Sequence, residues 1–195
     1  MIPLNGYDEV SAGYPPAGGY ICKIQNAYIG SFQDGTKCLE VELDIAEGKF
    51  TGYFRRETNT FNKNRPDGGW TSNGKVRIPL QENGKVHWKL KRFLVNVEAS
   101  NENFEVDPDK GFDERTLAGK ICGGVIGLKE KVNEKRNNAV FTNAYFSYVI
   151  SIGDVETGNF KIPDKKLADP TKISSSPKET TSIPDMPFDP DDVPF

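Results

Sequence analysis

KCLEVELDIAEGKFTGYFRRET, residues 37–58, decides the fold class. Leu39, Val41, Leu43 and Ile45 alternate with Glu40, Glu42 and Asp44. A period of two with one apolar side predicts a strand half-buried against a core. Glu47-Gly48-Lys49 reads as a tight turn. Beyond it, Phe50, Gly52 and Phe54 fall on one parity and Thr51, Tyr53 and Arg55 on the other. That alternation predicts a third strand over KFTGYFRRET, residues 49–58, with Gly52 as a bulge or sharp bend.

Upstream, residues 1–18 end in a Pro- and Gly-rich run that reads as an irregular arm. GYICKIQNAYIGSF (19–32) places Tyr20, Cys22 and Ile24 on one face and returns to that parity at Tyr28 and Phe32. It predicts a first strand bent near Gln25–Asn26, and Asp34-Gly35 closes a hairpin onto the second. Downstream, residues 58–84 read as a long Asn-, Gly- and Lys-rich loop. In VHWKLKRFLVNVEAS (86–100), Leu90, Phe93, Leu94 and Val97 form the apolar stripe of a helix. A short helical turn is expected at Asp113–Leu117. GKICGGVIGLKEKV (119–132) and AVFTNAYFSYVISI (139–152) read as the last two strands, joined by a charged turn at Asn133–Asn138. Gly123, Gly124 and Gly127 would let the fourth strand coil. The fifth is apolar on both parities and should be covered on both faces. Residues 155–166 read as a short arm returning to the barrel.

The expected fold is therefore all-β: a five-stranded Greek-key barrel of the OB-fold type, with a helix between strands 3 and 4. It occupies residues 19–166, between the arm at 1–18 and a disordered acidic tail at 167–195. That fold offers its second and third strands and two flanking loops to oligonucleotides or oligosaccharides.

Charge is unevenly placed in a chain of net −3. Residues 50–93 carry ten Lys and Arg against three Asp and Glu. Residues 167–195 carry two Lys against six carboxylates and too few apolar side chains to bury. Only 36% of the chain is hydrophobic, which fits one folded domain with an unfolded extension. No run reaches the length of a membrane span, and no secretory signal opens the chain, so a soluble, intracellular protein is expected. Three scattered Cys and one His form no zinc spacing, no disulfide framework and no catalytic triad. Neither metal nor cofactor is expected, and an enzyme is disfavoured.

In the basic stretch, aromatic rings alternate with cations. Phosphates attract cations and unpaired bases stack on flat faces, so the pattern suits single-stranded nucleic acid. The candidate contacts are Tyr53, Arg55, Arg56, Phe61, Lys63, Arg65, Trp70, Lys75 and Arg77. Lys129, Lys131, Lys135 and Arg136 join them at the loop between the fourth and fifth strands. The plainer alternative is a solvated basic surface with the rings in the core, Trp70 pinning its loop. A β module for glycans or phage structure explains the barrel but not the cations.

The chain ends Asp189-Pro190-Asp191-Asp192-Val193-Pro194-Phe195. An acidic run with a terminal Phe suits an apolar pocket with a basic rim. The tip resembles that of bacterial single-stranded DNA-binding proteins, which typically ends Asp-Asp-Ile-Pro-Phe; here Val193 replaces Ile. The body resembles the single-stranded DNA-binding proteins of phages and prophages of Gram-positive bacteria. The stretches concerned are PPAGGYICKI (15–24), LDIAEGKFTGYFRR (43–56), KRFLVNVEASN (91–101) and LAGKICGGVIG (117–127). The resemblance implies sequence-tolerant DNA binding on an OB-fold, no cofactor, and recruitment of replication and recombination proteins by Asp189, Asp191, Asp192, Val193, Pro194 and Phe195. A homo-oligomer is compatible with it.

Overall fold

The computed structural model describes residues 13–65, 68–107, 111–133 and 138–173. Most of the expected N-terminal arm, the loop residues Lys135 and Arg136, and the acidic tip lie outside them.

Five strands form a nearly closed antiparallel barrel: β1 Gly18–Ser31, β2 Lys37–Ile45, β3 Lys75–Pro79, and two later strands, the fourth and fifth of the barrel. A small ribbon, β4 Gln81–Glu82 and β5 Lys85–Val86, follows β3. The barrel is completed by β6 Ile121–Asn133 and β7 Ala139–Ile150, in the sheet order β3-β2-β1-β6-β7. Helices are α1 Tyr53–Asn62, α2 Trp88–Glu98, α3 Ile152–Thr157 and a last turn, α4 Pro170–Ile173. Among the described residues no helix is long and apolar enough to cross a membrane.

The strand of residues 37–45 forms with its alternation intact: Leu39, Val41, Leu43 and Ile45 all bury on the core side. β1 runs through fourteen residues and shifts register between Ile24 and Asn26, the bend expected at Gln25–Asn26. The third strand is elsewhere than expected. Residues 53–62 are helix α1, not strand. Gly52 is no strand bulge; it is the left-handed residue before the helix, with φ 72°. Gly52 does not itself cap the helix. The Asp44 carboxylate, projecting from β2, accepts the Phe54 amide at 3.0 Å and does so in its place. Phe54 and Thr58 then bury one turn apart, a helical spacing that the short alternation had disguised.

The third barrel strand is β3, inside the segment expected to be loop. Only Val76 and Ile78 carry its apolar alternation, too short a signal amid Asn, Gly and Lys. Trp70 folds back against the core and its indole N–H donates to the Gly74 carbonyl at 3.0 Å. On α2 the stripe Leu90, Phe93, Leu94 and Val97 is buried, and a 3-10 turn spans Glu114–Leu117.

The glycines of β6 allow close approach. A Cβ at Gly124 would stand 2.7 Å from the Phe146 ring and 2.8 Å from the Cys22 sulfur. One at Gly127 would meet Pro163 at 2.7 Å. Pro163 belongs to residues 158–166, which return along the sheet: the Lys166 amide donates to Leu128 O and its carbonyl accepts from Glu130 N. Coverage of β7 holds only for its second half. Ala144, Phe146 and Val149 face the core, while Val140 and Phe141 are exposed.

Candidate nucleic-acid interface

The outward side of β2 carries Glu40, Glu42 and Asp44, so the face formed by the second and third barrel strands is acidic at its centre. Lys75 and Arg77, the outward residues of β3, pair with Glu42 and Glu40 across the ladder. The Lys75 ammonium lies 3.3 Å from Glu42, 3.5 Å from Glu40 and 2.6 Å from the Tyr28 hydroxyl. Burial lowers the lysine's proton affinity, but Tyr28 and Glu42 more than offset it and its pKa is raised. Lys75 is thus committed to an internal network. Arg77 pairs with Glu40 at 3.2 Å and keeps half of its side chain in solvent.

The other residues singled out in the sequence fall into two patches. The first is on α1. Arg55 and Arg56 are exposed, tied to the Gln25 side chain and the Thr51 carbonyl. Phe61 is 60% exposed with the Arg65 guanidinium 5.1 Å above its ring, and Lys63 is exposed beside it. Tyr53 is half-buried edge-on against Phe54; burial, then Glu57, push its hydroxyl up to about 12. The second patch is on β6 and the returning arm. Lys129 and Lys166 lie 5.1 Å and 4.6 Å from the centre of the buried Tyr145 ring, with Lys131 exposed nearby. Burial lowers the Lys129 pKa, as do Lys131 and Lys166, while Glu57 of α1 opposes. Trp70 joins neither patch.

A third place collects cations and rings more closely. Where β3 approaches β7, a groove of about 530 Å³ opens under the start of α2. Arg77 enters from β3, and Trp88, Lys89 and Arg92 from α2. Tyr148 enters from β7, and Phe160 and Lys161 from the arm. Trp88 is 56% exposed although it begins a helix. It is held there by its neighbour: His87 Nδ1 accepts the Lys89 amide at 3.0 Å, capping α2, and the His87 ring stacks on the indole at 5.8 Å. The arm is held by Tyr148, whose hydroxyl donates to Lys161 O at 2.6 Å and accepts from Lys161 N at 3.2 Å. Phe160 seats over Gly19, where a Cβ would stand 2.6 Å from the ring.

The one carboxylate of the groove, Asp154, is occupied within its own helix start. Ser151 donates to it at 2.7 Å and Asn159 at 3.0 Å, which lowers its pKa. Such a site offers four cationic heads and three rings on one concave surface, suited to alternating charge and flat apolar faces. Among the described residues no cluster of ligating side chains could hold a metal.

Among the described residues named from sequence, only Arg77 reaches this groove. Trp88, Lys89 and Arg92 were visible within the basic stretch, on the helix side away from the buried stripe. Tyr148 had no parity to mark it, since it shares that of the core residues Ala144 and Phe146 and only the register shift beside it turns it outward. Phe160 and Lys161 had no local signal, since the fold alone brings the arm back. Compared with models of known protein families and with curated proteins, the sequence matches none.

Proposed function

We propose that the protein binds single-stranded DNA with little sequence preference, laying the strand in the groove between β3, β7 and α2. The observation that carries this reading is the convergence of Arg77, Lys89, Arg92 and Lys161 with Trp88, Tyr148 and Phe160, from four separate elements, on one open concave surface. Bases stack on the rings and the cations neutralise phosphates; no residue is asked to do covalent chemistry.

The barrel belongs to this reading as an OB-fold. The strand order β3-β2-β1-β6-β7, with β3 and β7 at the open seam and α2 between the third and fourth barrel strands, supports a Greek-key path. The resemblance of the sequence to phage and prophage single-stranded DNA-binding proteins supports a role in coating DNA during replication or recombination. The Asp191-Asp192-Val193-Pro194-Phe195 terminus would then recruit partner proteins.

Tryptophan fluorescence titrated with poly(dT) at two salt concentrations, with duplex DNA as competitor, tests the reading. The strand should quench the fluorescence, and binding should weaken on a log–log salt slope of about −0.7 per phosphate contacted. Absence of binding at low salt rejects it. Retention on oligosaccharides with indifference to salt and to DNA would favour a glycan-binding module on the same rings.

A further inference from the structure

A carboxylate beside a groove for phosphate works against binding by charge alone, yet Glu40 is only 6% exposed and held with care. Gly30 leaves the room it occupies: a Cβ there would stand 2.7 Å from Glu40 Oε1 and 2.9 Å from Cγ. The Tyr28 hydroxyl donates to Oε2 at 2.9 Å and Lys75 lies 3.5 Å from the same oxygen. Oε1 is left for Arg77 Nε at 3.2 Å.

We propose that Glu40 is a positioning residue that aims Arg77 into the groove. The ion pair at Nε holds the guanidinium from one side and leaves its two terminal nitrogens for a phosphate, the geometry in which arginine binds anions with two parallel hydrogen bonds. The outward acidic residue of β2 thereby serves anion binding. This rests on the nucleic-acid reading of the groove.

Two accounts of Glu40 predict opposite signs. If its charge only repels phosphate, Glu40→Gln tightens DNA binding. If it positions Arg77, Glu40→Gln weakens binding about 3- to 10-fold, as coupled neighbours do, because the amide's single accepting oxygen cannot serve Tyr28 and Lys75 on one side and Arg77 on the other, and it flattens the salt slope by about 0.7, one phosphate contact. The experiment is poly(dT) titration of the full chain as wild type, Glu40→Gln, Arg77→Ala and the double variant. The expected result is that Glu40→Gln adds no loss once Arg77 is gone. Tighter binding, or equal loss in both backgrounds, overturns the assignment. Should Glu40→Gln unfold, Tyr28→Phe loosens the same carboxylate without changing charge; it should weaken binding, and unchanged affinity overturns the proposal. Failure of the wild-type chain to bind at low salt sinks the groove reading and this one together, whereas wild-type binding with unweakened variants rejects the role of Glu40 alone.

Discussion

Trp70 and Trp88 lie eighteen positions apart in one basic stretch, and their surroundings assign them opposite work. Trp70 is half-buried against the core with its indole N–H bonded to Gly74. Trp88 presents its ring to the groove. Trp88→Ala should cost DNA affinity by the worth of one stacked base, about 1–3 kcal/mol, with little change in melting temperature. Trp70→Ala should cost about 2–3 kcal/mol of stability through lost packing of a ring that is not wholly buried, seen as a lower melting temperature, and leave the affinity of the folded protein nearly intact. Thermal melts and DNA titrations on both variants separate the two roles; a reversal of the pattern contradicts the assignment. Sequence alone could not separate them, because both are Trp residues among Lys, Gly and Asn, and only packing tells platform from anchor.

Asp44 shows how a residue read from sequence as a solvent-facing strand position becomes structural. It is 3% exposed, and its Oδ1 accepts both the Ile45 and the Phe54 amides at 3.0 Å. Burial raises its pKa, against the opposing pull of the amides of Phe54, Ile45 and Arg55. A carboxyl whose pKa is higher in the fold contributes stability that is full below the unfolded value, about 3.9, and is lost as pH rises through the folded value. Asp44→Asn keeps the accepting oxygen without the charge. Relative to that variant, the wild type should therefore gain stability as pH falls from neutrality towards about 4. Urea unfolding of both proteins across that range checks the sign; a gap that widens the other way contradicts it. Asp44→Ala removes the cap altogether and should cost about 1–2 kcal/mol at neutral pH.

At the scale of elements, legibility followed the length of the pattern. β2 alternates over four apolar positions and α2 repeats its stripe over two turns, and both form where the sequence predicts them. Phe50, Gly52 and Phe54 alternate over only three positions, and a cap supplied by Asp44 from another element converts that stretch to helix. β3 has two apolar residues and is defined by the ladder it completes with β2. The close contacts of β6 are likewise invisible until its neighbours are known. Gly124→Ala should be destabilising by about 1–3 kcal/mol, since its methyl would press on the Phe146 ring and the Cys22 sulfur from within the core. A melting temperature equal to wild type would show that the core yields there. The arm at 158–166 is latched to β7 by two hydrogen bonds at one hydroxyl. Tyr148→Phe should raise amide exchange at Lys161 and weaken DNA binding, because Phe160 and Lys161 would no longer be held at the groove.

At the scale of the whole molecule, Lys75 and Arg77 on the face of the second and third barrel strands are already paired with its carboxylates. Its acidic residues hold Lys75 and partly hold Arg77, whereas the groove around α2 joins Arg77 to side chains drawn from a helix, a strand and an arm. Composition and charge drew attention to residues 50–93, which supply Arg77, Trp88, Lys89 and Arg92 of the groove; the closing of the barrel decided which side chains could meet there. The location of the strand is tested most directly by photo-cross-linking the full chain to oligo(dT) substituted with 5-iododeoxyuridine and identifying the modified peptides. Adducts should form at Trp88, Tyr148 or Phe160. Adducts confined to Phe61 and the α1 patch, with these three rings unmodified, would contradict the account.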